Sequence, residues 1–197
     1  MSSDTVVAVT RDGSDVPRNR RQEETFRKVL RAGVEMLRET SYSDLTVRAV
    51  AARAKVAPAT AYTYFSSKNH LIAEVYLDLV KQAPFFTDVN DTRLRRVEQA
   101  LRSLALVIAD EPEVAVACTT AVLSNDAGVR PVRDRIGAEI HKRIKSALGP
   151  DSDPRIVSAL EMTYYGALVH AGSGTLTYHQ VADRMSYVVG LILGDEN

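Results

Sequence analysis

The stretch VAPATAYTYF, Val56 to Phe65, decides how this chain folds. Three aromatics, Tyr62, Tyr64 and Phe65, fall within four positions, directly after a proline and small residues. Upstream, AVAARAKV, Ala49 to Val56, is again mostly small. Small side chains let two helices approach closely, and Lys55 to Ala57 leaves about three residues between them, the spacing of a helix-turn-helix. The first of these helices runs from Val47 to about Ala54, with Thr46 as N-cap and Val50, Ala51 and Ala54 facing inward. The second starts near Pro58, whose missing N–H costs nothing at a first helical position, and ends about Tyr64.

Outward from this pair the pattern stays helical. Phe26, Val29, Leu30, Gly33, Met36 and Leu37 recur at spacings of three and four and predict a helix from Gln22. Ser67 caps a helix from Lys68 to about Gln82. Further helices are expected over 92–109, 111–123, 131–148, 154–171 and 177–193, the last two split by Gly-Ser-Gly. The helix over 111–123 is apolar on several faces and is expected to be buried all round. No strand-type alternation and no repeat occurs. The fold class is all-α, about nine helices. Residues 1–20 read as a flexible arm ending in Arg18, Arg20 and Arg21, 21–68 as the helix-turn-helix domain, and 69–197 as a helical body.

The chain has 197 residues, one cysteine and zero formal net charge. A single cysteine, Cys118, allows no intrachain disulfide. No apolar stretch is long enough to span a membrane, and no secretory signal is visible. These features fit a cytoplasmic protein. The charge is unevenly spread: residues 1–70 hold twelve Lys+Arg against eight Asp+Glu, and 71–197 hold thirteen against seventeen. The basic end is therefore the better candidate for an anionic partner.

The second helix of the pair would enter a major groove with its N-terminus foremost. Pro58, Ala59 and Thr60 stand there, where Thr60 can hydrogen-bond a base edge and the three can contact thymine methyls. Thr46 and Thr63 join this candidate surface. Tyr62 and Tyr64 offer hydroxyls to phosphates, Lys68 with the amides at the start of its helix offers a phosphate clamp, and Arg48 could reach a guanine. The competing reading of the tyrosines is core packing, the usual fate of aromatics at helical spacing. Phe65 is assigned to the core.

The run RETSYSDLTVRAVAARAKVAPATAYTYFSSKNHLIAEV resembles the DNA-binding segment of TetR-family transcriptional regulators. The matching pieces are Leu45-Thr46-Val47, Val50-Ala51, Lys55-Val56, Thr60 to Phe65 and Ser67-Lys68. The chain departs from that pattern at three places. Lys55 stands where the family often has Gly, Ala57 where it often has a Ser N-cap, and Ala61 where it usually has Leu. The resemblance implies a homodimeric repressor on a double-stranded DNA operator, and the residues call for no cofactor. It assigns dimerisation to the last two helices, on one seam of Ile156, Leu160, Ala167, Leu168 and Ala171 and another of Val181, Met185, Val188, Val189 and Ile192. Those seams could equally be intramolecular core.

The resemblance also implies a small effector in the body. A mostly apolar cavity with few polar groups is what such a site looks like, and Cys118, Thr119, Thr120, Tyr164, Tyr165 and His170 are its candidate polar lining. Buried Thr and Tyr equally often serve the backbone. The DNA-binding segment and the ending LILGDEN are similar to family members that repress sterol and lipid catabolism and respond to acyl-CoA-type ligands, which points to a hydrophobic, lipid-like effector. An enzyme reading lacks a constellation. Cys118 has no evident partner, and His70, His141, His170 and His179 show no metal spacing. The alternative to a DNA-binding regulator is a helical ligand-binding or interaction protein without sequence-specific DNA binding.

Overall fold

The computed structural model describes residues 18–85, 88 and 90–194, and all its regular elements there are helices. In chain order they are α1 (Arg20–Leu37), α2 (Val47–Arg53), α3 (Pro58–Tyr64), α4 (Lys68–Gln82), α5 (Arg93–Leu106), α6 (Pro112–Leu123), α7 (Arg130–Leu148), α8 (Pro154–Gly172) and α9 (Tyr178–Leu193). The boundaries follow local chemistry. Asn19 and Gln22 form a reciprocal capping box at α1, and Thr177 and Gln180 do the same at α9. Thr46, Ser67, Thr92 and Asp153 cap α2, α4, α5 and α8.

The turn between α2 and α3 is a Schellman closure. The amide of Val56 donates to Ala51 O (2.9 Å) and that of Lys55 to Ala52 O (3.1 Å). Lys55 takes φ +55°, the one positive φ of a non-glycine residue among those described. A side chain in this left-handed well costs about 1 kcal/mol. Ala57 provides no side-chain cap for α3, so Pro58 alone pre-sets its first turn.

The core runs through all the described helices. Phe26 stacks on Phe65 at 5.0 Å, and Ala61 is fully buried, so α3 lies tight against its neighbours. α4 passes from this head into the body and packs on α1, α6 and α7, while α5 packs on α7 and α9. Arg38 at the end of α1 pairs with Glu111 at the start of α6, a second tie between head and body. Arg143 of α7, itself buried, donates to the carbonyls of Ala83 (2.9 Å) and Lys81 (3.1 Å) and so closes the C-terminal end of α4.

Three expectations change. The arm's first seventeen residues lie outside the described part, whereas Arg18 is docked over the Phe26 ring at 3.7 Å, and Arg20 and Arg21 belong to the first turn of α1. α5 ends at Leu106 rather than 109. α6 is not buried all round: Val116, Thr120 and Leu123 form an exposed stripe, because its other face alone satisfies the packing of α4 and α8.

Candidate DNA interface and effector cavity

α3 turns its N-terminal half outward. Ala57, Pro58, Ala59, Thr60 and Thr63 are exposed, with Arg48 and Thr46 exposed beside them on α2. Tyr62 is 52 % exposed and free of any intramolecular hydrogen bond among the described residues, so its hydroxyl is available to a phosphate. Thr63 Oγ1 donates to the Thr60 carbonyl (2.7 Å). Thr46 is committed locally, accepting from the Ala49 amide (3.1 Å). Tyr64 is half-buried and meets the Phe26 ring edge-on at 6.0 Å, so most of its ring is core and only its rim reaches outward.

Lys68 is the clearest correction in this region. Its ammonium donates to the carbonyls of Tyr42 (2.9 Å) and Ser43 (3.0 Å) and lies 4.7 Å from the Tyr42 ring. Two of its three N–H groups therefore hold the turn between α1 and α2, and the free clamp read from the sequence is an anchor. That turn leaves carbonyls without helical partners, and Lys68 supplies them from 25 residues away.

The body holds a cavity of about 470 Å³ between α4, α6, α7 and α8. Tyr76, Cys118, Thr119, Ile136, Gly137 and Tyr165 shape its walls, and Arg133 and Asp134 stand among its lining residues on α7. Of the expected lining, Cys118, Thr119 and Tyr165 are present. Thr120 and His170 are exposed and lie elsewhere on their helices. Tyr164 is fully buried, bonded to the Tyr76 hydroxyl (3.0 Å) and to Leu104 O (3.4 Å), and is core. Burial pushes the Cys118 thiol up to about 12, so it stays protonated at neutral pH and is a small apolar wall group. α6 and α8 touch where a Cβ on Gly172 would collide with Thr119, which fixes this wall.

A polar chain joins cavity and head. Glu74 of α4 is 4 % exposed and pairs with Arg135 of α7, the residue between the lining pairs Arg133–Asp134 and Ile136–Gly137. His70 Nε2 lies 3.6 Å from the same carboxylate, and its Nδ1 accepts from the Ser66 amide (3.2 Å), which places the ring proton on Nε2. Burial alone would raise the Glu74 carboxyl, but the hydrogen bonds from His70 and Arg135 prevail and hold it below the usual range. Ser67 Oγ, the cap of α4, donates to Asp126 (2.6 Å), and that bond lowers the Asp126 carboxyl. A Cβ on Gly128 would strike Ser66 Oγ, so the loop before α7 is pressed onto the α3–α4 junction.

The family pattern described as "Bacterial regulatory proteins, tetR family" matches residues 29–75. An HTH-type transcriptional regulator of Mycobacterium tuberculosis is 64 % identical over 205 aligned residues, spanning 100 % of this chain and 96 % of that protein. The chain belongs to the TetR family. The HTH-type transcriptional repressor KstR of Rhodococcus jostii is 28 % identical over 98 % of the chain and 93 % of its own length. A TetR regulator from Rhodococcus sp. RHA1 shares the fold with TM-score 0.77 at 18 % identity, covering 91 % of this chain and 100 % of that one. Thermus thermophilus FadR, a TetR-family repressor solved in complex with lauroyl-CoA, does so with TM-score 0.65 at 16 % identity, over 87 % and 95 %.

In this TetR-family chain the two seams expected on α8 and α9 are corrected in part. Leu160, Ala171, Val181, Met185 and Val189 are buried within the single chain, and Ile156, Ala167, Leu168 and Ile192 are half-buried against the same core, while Val188 is half-buried. The apolar face that lacks a partner is rotated from them. It carries Met162 (73 % exposed), Val169, Tyr187 (71 %) and Leu191, and built Cβ atoms on Gly166 and Gly190 meet nothing within 4 Å. Both faces of α8 and α9 are apolar, so periodicity alone could not say which one α5 covers.

Proposed function

We propose that this TetR-family regulator is a cytoplasmic, homodimeric repressor that acts by binding rather than catalysis and leaves its operator when a hydrophobic, lipid-like or acyl-CoA-like effector enters the cavity. The observation that carries the reading is the outward N-terminus of α3, with Pro58, Ala59 and Thr60 exposed beside Arg48 and Tyr62 while Ala61 and Phe65 are fully buried behind them. Residues 21–68 then read DNA, and 69–197 hold the effector and the dimer contacts. Thr60 reads a base edge, Pro58 and Ala59 meet thymine methyls, Arg48 reaches a guanine, and Tyr62, Tyr64, Thr46, Thr63 and the remaining Lys68 donor approach phosphates. The repressor sign rests on the likeness to KstR.

The effector class is supported by the apolar cavity walls, by Arg133 as a cation for an anionic head group, and by lauroyl-CoA in the FadR structure. Dimerisation is supported by the unpartnered face of Met162, Val169, Tyr187 and Leu191, since contiguous exposed apolar surface marks an interaction site.

The test is fluorescence anisotropy on labelled duplex from upstream of the protein's own gene, with excess unrelated duplex, at several salt concentrations. Competitor-resistant binding that lauroyl-CoA reverses is expected. Equal competition by unrelated DNA, repeated on duplexes recovered by genome-fragment selection, would refute specific reading and favour the helical ligand-binding alternative.

A further inference from the structure

The left-handed residue of the helix-turn-helix is a lysine, and its surroundings give that choice a purpose. Lys55 is exposed, carries φ +55°, and has no ion-pair partner among the described residues. Strained residues persist only where the surrounding structure holds them, and they cluster at functional sites. Lys55 lines a groove of about 480 Å³ between the N-terminal half of α1 and α3. Arg21 and Lys28 line the same groove, and Thr60 and Tyr64 of α3 form its other side. Glu24 also lines it, but its carboxylate is paired with Arg20 (3.3 Å). Arg21 and Lys28 form no ion pair among the described residues. Three unneutralised cations therefore converge on one groove that opens beside the candidate base-reading residue.

We infer that Arg21, Lys28 and Lys55 form a phosphate track, gripping one DNA strand's backbone as it passes the N-terminus of α3, and that Lys55 is a DNA-positioning residue. The inference rests on the DNA-binding reading and adds three cations to the surface that Arg48, Tyr62 and Tyr64 present. The groove suits a chain of phosphates rather than a base: the charges on its lining that carry no ion pair among the described residues are all positive. A glycine would satisfy the turn without strain, so the turn itself does not call for a lysine.

The experiment compares wild type, Lys55→Gly, Lys55→Arg and Lys28→Gln on a labelled duplex that wild type enriches from random-sequence DNA, with affinity measured from 50 to 200 mM salt and melting temperature recorded in parallel. Each lost phosphate contact removes about 0.9 from the salt slope, so wild type should lose about threefold more affinity than Lys55→Gly across that range. Lys55→Gly should bind more weakly at low salt and yet melt no lower than wild type, while Lys55→Arg keeps both slope and affinity. Lys28→Gln should show the same slope change. A Lys55→Gly protein with wild-type affinity and slope overturns the inference and leaves the DNA reading standing. A wild-type protein that enriches no duplex overturns both.

Discussion

Replacing Arg135 by methionine tests how α7 is held to α4. Methionine keeps much of the stem's packing and removes the charge, leaving the Glu74 carboxylate buried with His70 Nε2 at 3.6 Å as its remaining partner. Removing one partner of a fully buried pair costs roughly 3–5 kcal/mol. Here Glu74 is buried, but the Arg135 side chain is 37 % exposed, so water already screens part of the pair and the expected loss is about 2 kcal/mol. For a chain of this length that is a fall of about 4–8 °C in melting temperature. Urea unfolding at fixed protein concentration reads it, since dimerisation would otherwise enter the measured stability.

The pH dependence has a definite sign. Glu74 is held below the ordinary carboxylate range in the folded chain. Its contribution is present above the unfolded carboxylate value, about 4.3, and is lost as pH falls through the folded value. The gap between wild type and Arg135→Met should therefore be full at neutral pH and close in acid, where the carboxyl is protonated in both. The double variant Glu74→Leu/Arg135→Met should recover most of the loss, because no charge is then left buried. A single variant within about 0.5 kcal/mol of wild type, the scatter of ordinary surface changes, would refute the reasoning. So would a double variant as unstable as the sum of its parts.

Three further outcomes are expected. Thr60→Ala should weaken operator binding by about 1–3 kcal/mol and relax preference at one base pair, while binding to unrelated DNA stays unchanged, as titration against both duplexes would show. Tyr187→Glu, on the open face of α9, should turn a dimer into a monomer by light scattering without lowering helicity; a dimer that persists would place the interface elsewhere. Gly137→Leu should fill the space facing the Tyr165 hydroxyl, 3.4 Å from a built Cβ, and abolish release of DNA by lauroyl-CoA while leaving DNA binding intact.

Much of the head was legible because its signals are local. A cap, a short turn and a proline act within a few residues, so α2, α3 and α4 could be bounded from Thr46, Pro58 and Ser67, while the strain at Lys55 was implied by the resemblance, which often has Gly there. Thr60 was placed outward by the helix-turn-helix reading, and Phe65 was assigned to the core, where it is fully buried. Even here the role of Lys68 was out of reach, since its carbonyl partners at Tyr42 and Ser43 belong to a different turn.

The body obeyed a different logic. Sequence alone determined that α6, α8 and α9 are helices rich in apolar residues, because composition and periodicity are properties of one segment. Only tertiary packing decided which of two apolar faces is covered. α5 and α8 bury Val181, Met185 and Val189 and leave Tyr187 and Leu191 open, and the placement of α4, α6, α7 and α8 keeps Thr119 and Tyr165 on a cavity while Tyr164 is sealed by Tyr76. The hydrophobic effect rewards burial of area without direction. It selects helices from the sequence, but which side meets a neighbour depends on how all the helices share a limited interior.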